Sequence, residues 1–175
     1  MKGAAALCVV DTNVAVAADG RAGTTPSCIR ACAAAIRELK SSGHLVLDDG
    51  WRIISEYRNN LAVSGQPGPG RAFLKWVLTN YRNPQRCTCV RITPRAADPF
   101  DFEEFPEHPV LGAFDRSDRK FVAVAAAHPK RPPILQGTDS KWWGWKQALA
   151  ECGVKVDFLC PEEVTEKYRQ KVRKA

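Results

Sequence analysis

The sequence has no apolar run of the roughly 18 residues that a membrane-spanning helix needs. Its N-terminal apolar run is interrupted by Asp11 and Asn13 before a secretory signal pattern can develop. No membrane association is therefore expected, and we predict a cytoplasmic protein. Internal repeats are also lacking, and 175 residues are most simply one domain, so we expect a single domain over residues 1–175.

Cys-x-x-Cys pairs are lacking as well, and none of the seven cysteines has a neighbouring histidine. This spacing and the odd number argue against both a disulfide framework and a zinc knuckle. A chain of this length buries enough surface to fold without a disulfide or a metal. We therefore expect most of the cysteines to be reduced and buried as small apolar side chains.

Positive charge is in excess, with 26 Lys and Arg residues against 19 Asp and Glu residues and a formal net charge of +7. Such a balance favours a polyanionic partner such as nucleic acid, although it says nothing about the fold. The apolar content of 45% is typical of an ordinary globular protein rather than a disordered one.

Apolar runs and amphipathic segments alternate along the chain. The run over residues 4–10 stops at Asp11-Thr12-Asn13, which is typical of a strand buried on both faces of a parallel sheet. Alternation of strands and helices predicts a three-layer α/β/α fold with a central parallel sheet. The other predicted strands are 44–47, 87–92, 134–136 and 154–159, and the helices are 14–19, 26–42, 51–63, 71–81, 115–127, 142–152 and 161–175.

Three segments outside this alternation have a distinct composition. Residues 65–70 are rich in Gly and Pro and predict a mobile connection. Residues 93–112 are Pro-rich and acidic and predict a long loop, which in a compact domain is usually functional or mobile. The predicted C-terminal helix 161–175 ends strongly basic, which indicates either solubility or contact with RNA.

Acidic residues follow or flank several of the predicted strands. Asp11 and Asp139 each come after a strand, at the edge where parallel sheets bind ligands. Asp115 fits the cap of a helix whose first turn contains Asp118, and Glu56 lies inside the helix 51–63. The alternative is that these are unrelated surface or capping acids.

Carboxylates that converge on one edge repel one another unless a hard cation lies among them. Mg²⁺ and Mn²⁺ suit a site made of oxygen ligands. Two such ions can activate a water molecule and stabilise the leaving oxygen of a phosphodiester. The acids therefore predict metal-dependent hydrolysis without a Ser or Cys nucleophile.

Four segments resemble motifs of the PIN domain nucleases, a family that includes the VapC-type ribonuclease toxins. They occur in the family's order and span nearly the whole chain: Val-Val-Asp-Thr-Asn at 9–13, Ser-Glu-Tyr-Arg-Asn-Asn-Leu at 55–61, Asp-Arg-Lys-Phe-Val-Ala-Val-Ala at 118–125 and Gly-Thr-Asp at 137–139. The resemblance implies a five-stranded sheet in the order 3-2-1-4-5.

The resemblance also implies Mg²⁺ or Mn²⁺ as cofactor and RNA as substrate, cleaved to 5′-phosphate and 3′-hydroxyl ends. It implies metal ligation by Asp11, Glu56, Asp118 and Asp139. A protein antitoxin is expected if the chain belongs to the toxin branch. Two features depart from the family: Asp115 competes with Asp118 for the third ligand position, and the segment 93–112 is longer than small toxins carry.

Polar residues near the acids have predicted supporting roles. Thr12, Asn13 and Thr138 are expected to orient acids or water through hydrogen bonds. Basic residues of the same motifs are expected to contact phosphate, or else to form a solvated helix face: Arg58, Arg116, Arg119, Lys120 and Lys141. Trp143 lies off the apolar stripe of its helix and is a candidate for base stacking or a homodimer interface.

Three other functions are open to such a sequence. A PIN-like module that binds RNA or a protein without catalysis is the main alternative. A phosphatase of the haloacid dehalogenase type needs a second Asp two residues after the first, and Asn13 stands there. A flap-type DNA nuclease needs further helices and acids that this chain is too short to supply.

Overall fold

The computed structural model describes residues 7–21, 23–62 and 67–175. Some residues of the predicted elements lie outside these ranges. They are Ala4 to Ala6 of the first strand, Val63 at the end of the predicted helix 51–63, and Gly65 and Gln66 of the predicted connection.

A parallel sheet of five strands forms the centre of the protein, in the order β3-β2-β1-β6-β7. The predicted order 3-2-1-4-5, which counts the strands of this sheet alone, is confirmed. Helices flank the sheet, as in the expected α/β/α layering. The strands of the described residues are β1 (Leu7–Val10), β2 (His44–Asp48), β3 (Cys87–Val90), β4 (Pro94–Arg95), β5 (Asp98–Phe102), β6 (Ile134–Gln136) and β7 (Val156–Phe158).

Strand β1 lies between β2 and β6, with Leu7 opposite His44 and Val9 opposite Ile134. Its residues Cys8, Val9 and Val10 are buried because helices cover both faces of the sheet. The apolar run that predicted a doubly buried strand is therefore the central strand. The residue that follows it, Asp11, consequently lies in the middle of the carboxyl edge.

The predicted helices are all present, with changes at their ends. In the described residues they are α1 (Thr12–Ala18), α2 (Pro26–Ser42), α3 (Arg52–Leu61), α4 (Pro69–Asn80), α5 (Arg119–Ala127), α6 (Lys141–Glu151) and α7 (Pro161–Lys174). None of these described helices combines the length and the apolarity required to cross a bilayer.

Helix α4 begins at Pro69, earlier than the predicted residue 71. Pro is favoured in the first turn of a helix, and Gly70 lets α4 approach α1 closely. The Gly70 N–H donates to Asp19 Oδ1 at 2.7 Å, and a Cβ on Gly70 would lie 2.5 Å from the carbonyl oxygen of Ala15. The Gly and Pro residues of this stretch therefore include Gly70, which allows the close contact between α4 and α1.

The predicted long loop 93–112 is wrong in part, because it contains the antiparallel hairpin β4–β5 and a 3₁₀ turn at Pro109–Ala113. Its acids have partners both within the segment and in the neighbouring segment 116–119. Glu104 accepts from the N–H and hydroxyl of Thr93 at 2.8 and 3.0 Å. Asp98 pairs with Arg116, and Asp101 pairs with Arg95 and Arg119.

Apolar side chains of the same segment 93–112 face the core. Phe102, Phe105 and Leu111 are buried, so the segment is packed against the domain.

The cysteines also differ from expectation, because Cys28 and Cys160 form a disulfide across a sequence separation of 132 residues. The spacing along the chain gave no sign of this pair, which forms where α2 meets the start of α7. The free cysteines Cys8, Cys32 and Cys87 are buried as expected, whereas Cys89 is exposed and Cys152 is half-buried.

Candidate acidic site at the carboxyl edge of the sheet

Asp11 follows β1 and is 4% exposed. Its Oδ1 accepts from the Asn13 N–H at 2.9 Å, which caps α1, and its Oδ2 accepts from Gln136 Nε2 at 3.2 Å. Burial raises the pKa of Asp11 well above its usual value, and the nearby Asp118 raises it further. Asp11 is therefore both a helix cap and a carboxylate held in an unfavourable place for negative charge.

Glu56 reaches the same edge from the middle of α3. Thr12 donates its hydroxyl to Glu56 Oε1 at 2.6 Å, and the Lys120 ammonium pairs with Glu56 Oε2. Lys120 also donates to the carbonyl oxygen of Ser117. Glu56 therefore connects α1, α3 and α5 at the edge.

Asp118 lies at the start of α5, where its Oδ2 accepts from the Trp142 indole N–H at 3.3 Å. Burial raises the pKa of Asp118 to about 6. The charges of Asp115 and Glu56 act in the same direction, while the Trp142 hydrogen bond and Lys120 act against it. Asp118 thus belongs to one electrostatic group with Asp11 and Glu56.

Asp115 has a different environment from Asp118. It caps the 3₁₀ turn Arg116–Asp118 by accepting from the Ser117 N–H at 3.0 Å, and its Oδ2 pairs with Lys141 at 3.3 Å. The hydrogen bond from the Ser117 hydroxyl is the main cause that lowers the pKa of Asp115, and Lys141 adds to it. This geometry favours Asp118 as the third acid of the site, with the α-helix beginning only after the 3₁₀ turn.

Asp139 follows β6 at the same edge, but its contacts are with the next helix. Its Oδ1 accepts from the backbone N–H of Lys141, the first residue of α6, at 2.9 Å. Among the described residues, no three carboxylates bring their oxygens within 4.8 Å of one another. The four predicted ligands therefore share an edge without forming a closed metal cage.

Two of the predicted supporting residues fix the loops around the acids. Thr12 holds Glu56, as described above. Asn13 Oδ1 accepts from the backbone N–H groups of Gly137 and Thr138 at 2.8 and 3.3 Å, so Thr138 takes part through its backbone. A Cβ on Gly137 would lie 2.8 Å from Asn13 Oδ1, which explains why glycine precedes Thr138.

The predicted phosphate contacts divide into exposed and buried residues. Arg58 is exposed on α3, and Arg116 and Lys141 are exposed but paired with Asp98 and Asp115. Lys120 is buried beside Glu56.

Arg119 is a correction to the sequence prediction. It is buried, donates to the carbonyl oxygen of Gly112 at 2.9 Å and to Asp101 Oδ1 at 2.8 Å, and lies over the ring of Phe105. These contacts fasten the segment 93–112 and leave no guanidinium face for phosphate.

Sequence reasoning missed two fully buried polar residues at strand ends. Gln136 donates to Asp11 and accepts from the Gly137 N–H at 2.9 Å. Asp48 at the end of β2 accepts from the N–H groups of Arg52 and Ile53, both at 2.9 Å, so its carboxylate caps α3. Both stand at the carboxyl ends of strands, and that position was the available signal.

Two cavities flank the acids. The first, here called the hairpin groove, has a volume of about 500 Å³ and is lined by Glu56, Ser117, Arg52, Arg116, Lys120 and Phe100, among others. The second, the helix groove, has a volume of about 420 Å³ and contains Asp115, Lys141, Lys171, Trp145 and Tyr168. Both combine cations with aromatic rings, the residue types that bind single-stranded nucleic acid.

Burial of Asp118, together with repulsion among these acids, predicts a dependence of stability on pH. The folded state favours neutral Asp118, because its pKa rises from 3.8 to about 6 on folding. The stabilisation by neutral Asp118 is fully present below its unfolded pKa of 3.8 and is lost as the pH rises through its folded pKa of about 6. In chelator at neutral pH, we expect Asp118→Asn to raise the free energy of unfolding by about 2 kcal/mol, as measured by urea denaturation.

Asp115→Asn is the matched control, because folding shifts the pKa of Asp115 in the opposite direction from that of Asp118. The pKa of Asp115 is lowered on folding, so its charged form stabilises the protein above its unfolded pKa and this stabilisation is lost as the pH falls. At neutral pH the control loses the contacts with Ser117 and Lys141 but also removes a charge that repels Asp118, so it should lower stability or raise it by much less than Asp118→Asn does. Equal shifts in the two variants would contradict the assignment of Asp118 to the repelling group.

Comparison of the chain with protein-family models, with curated proteins and with solved structures finds no match. The functional interpretation therefore depends on the geometry of the acids, on the grooves beside them and on the motif resemblance.

Proposed function

We propose that this protein is a metal-dependent endoribonuclease that hydrolyses phosphodiester bonds with water as the nucleophile. One observation carries the proposal. Asp11, Glu56 and Asp118 come from three different segments and meet at one sheet edge, where burial and mutual repulsion raise the pKa values of Asp11 and Asp118. Such a grouping opposes folding at neutral pH, and a bound cation would relieve it.

The donor set suits Mg²⁺ or Mn²⁺, since both prefer carboxylate oxygens. Asp11, Glu56 and Asp118 would hold the ion, and Asp139 is the fourth acid of the edge. When bound, the ion supplies a Lewis acid and lowers the pKa of a coordinated water molecule. Gln136 and the Asn13 N–H fix the carboxylate of Asp11, and Thr12 fixes that of Glu56.

Substrate would lie in the hairpin groove, which includes Glu56. Arg52, Arg116 and Lys120 line this groove, and each is paired with a carboxylate, that of Asp48, Asp98 and Glu56 respectively. Backbone phosphates would replace these carboxylates as partners of the cations. Phe100 is 62% exposed and offers a ring on which a base can stack. A nuclease of this kind needs to bind its substrate mainly through the backbone, and the groove has the groups to do so.

The resemblance to PIN nucleases supports the same proposal. Three of the four motif acids, Asp11, Glu56 and Asp118, are the residues that the structure brings into one electrostatic group. The preference for RNA over DNA depends on this resemblance. An antitoxin partner would follow only for the toxin branch of that family.

The test is cleavage of a mixed panel of single-stranded RNAs by the full chain with Mn²⁺ or Mg²⁺. We expect products with 5′-phosphate ends that disappear when excess chelator is added. Cleavage that continues in chelator would overturn the metal mechanism. A matched panel of single-stranded DNA examines the substrate preference, and faster cleavage of DNA would contradict the assignment to RNA.

A second candidate, an RNA-binding module without catalysis, is favoured by the ion pair between Lys120 and Glu56. In that case the Lys120 ammonium compensates the acids, and no divalent ion is needed. Thermal unfolding at millimolar Mn²⁺ discriminates the two, because a ligand that binds only the folded state raises its stability. An unchanged unfolding temperature together with RNA binding in chelator would favour the module.

A further inference from the structure

Three cysteine sulfur atoms meet in the interior at a place that shares no lining residue with the two grooves. Cys28, Cys32 and Cys160 are buried, and their sulfur atoms all lie within 4.8 Å of one another. Cys28 and Cys32 are one helical turn apart on α2 and therefore lie on the same face. Cys160 directly precedes α7.

A disulfide accounts for only two of these three sulfur atoms. The Cys32 sulfur lies 3.8 Å from that of Cys160. Zinc–sulfur bonds of about 2.3 Å in tetrahedral geometry place two sulfur ligands about 3.8 Å apart. The distance between these two sulfur atoms therefore fits a thiolate metal site as well as the contact of a packed thiol.

The surroundings can support negative sulfur and admit an ion. Cys160 lies at the N-terminus of the 14-residue helix α7, where the helix dipole stabilises a thiolate. A cavity of about 270 Å³ reaches Cys28 and Cys160 from the surface, and Thr25 and Glu163 line it. It provides a path of entry and room for a fourth, oxygen ligand.

We propose that Cys28, Cys32 and Cys160, when reduced, form a binding site for one thiophilic metal ion of the zinc class. Reduction of the Cys28–Cys160 bond by a dithiol or phosphine reductant takes up two electrons and two protons. Coordination by the three thiols then releases three protons. Disulfide formation and metal binding are alternative states of the same sulfur atoms.

The test uses the full chain, reduced and freed of reductant under anaerobic conditions, and titrated with Co²⁺ as a spectroscopic probe. We expect one equivalent to give thiolate-to-cobalt charge-transfer absorption and tetrahedral ligand-field bands, both abolished by one equivalent of Zn²⁺. A spectrum without thiolate bands in the reduced wild-type protein would overturn the proposal. This measurement does not depend on the folding of any variant.

Cysteine variants separate the metal site from a simple disulfide. Cys32→Ala leaves the disulfide pair intact, yet we expect it to weaken cobalt binding by at least about 100-fold. Cys89→Ser and Cys152→Ser are the matched controls and should bind like the wild type. Thiolate bands that persist in Cys32→Ala would contradict the three-cysteine site. Asp11→Asn should leave these bands unchanged, so failure of the nuclease proposal is distinguishable from failure of this one.

Discussion

Asp11→Asn is expected to lower the rate of Mn²⁺-dependent RNA cleavage by about 10³-fold. Asp11 is the most deeply buried acid of the group and projects from the central strand, so its position is the most firmly fixed. The amide keeps an oxygen for the Asn13 N–H but removes the negative charge that would hold the ion. Loss of several kcal/mol of transition-state stabilisation corresponds to this factor. The rate is measured on one RNA under single-turnover conditions.

The free energy of unfolding of Asp11→Asn shows whether a loss of cleavage comes from the chemistry or from a loss of folding. Asp11→Asn removes a charge that burial and Asp118 disfavour, but the NH2 group of the new amide cannot accept the Gln136 hydrogen bond. Because the two effects oppose each other, the free energy of unfolding in chelator should stay within about 1 kcal/mol of the wild type. Asp49→Asn is the matched control: Asp49 is an exposed acid just after β2, at the neighbouring strand end, and the variant should cleave at the wild-type rate. Equal cleavage by the Asp11 and Asp49 variants would exclude Asp11 from the mechanism.

Local patterns were sufficient to predict the sheet. The apolar run before Asp11 identified a strand buried on both faces, and alternation with amphipathic helices required parallel neighbours. The strand order came from the motif resemblance, and the structure places β1 at the centre as that order requires. The strands and helices themselves depend on residues close in sequence, which a single chain displays directly, whereas the strand order does not.

The errors concern contacts between residues far apart in sequence. Residues 93–112 predict a long loop, because the sequence does not show that Asp98 and Asp101 pair with Arg116 and Arg119 of another segment. The Cys28–Cys160 bond joins residues 132 positions apart, and no spacing rule connects them.

The site could likewise be predicted only in its outline. Strand ends identified Asp11, but Gln136, which holds the Asp11 carboxylate, ends a strand without any distinguishing motif. The sequence leaves Asp115 and Asp118 as alternatives for the third ligand position. Ser117 and Lys141 lower the pKa of Asp115, whereas burial raises the pKa of Asp118, and a sequence does not show this difference in environment. A basic residue in a motif also looks the same in the sequence whether it is exposed or buried. Arg119 and Lys120 are both buried.

Arg119→Ala is expected to lower the free energy of unfolding by about 3 kcal/mol, because it removes one partner of a buried network. The change leaves the Gly112 carbonyl oxygen without its donor and leaves Asp101 with Arg95 as its remaining cation. It also removes the guanidinium that lies 4.5 Å from the centre of the Phe105 ring. Urea denaturation at neutral pH measures the loss, and Arg119→Lys should recover little of it because lysine lacks the planar fork.

Arg58→Ala is the matched control, since Arg58 is an exposed arginine of another motif and its loss should change stability by less than about 0.5 kcal/mol. Limited proteolysis locates the effect. Arg119 fastens the segment that carries β4 and β5, so its loss should make cleavage within 93–112 faster than in the wild type or in Arg58→Ala. If Arg119→Ala is as stable as Arg58→Ala and is cleaved no faster within 93–112, Arg119 does not hold this segment in place. Arg119 then becomes a candidate phosphate contact again.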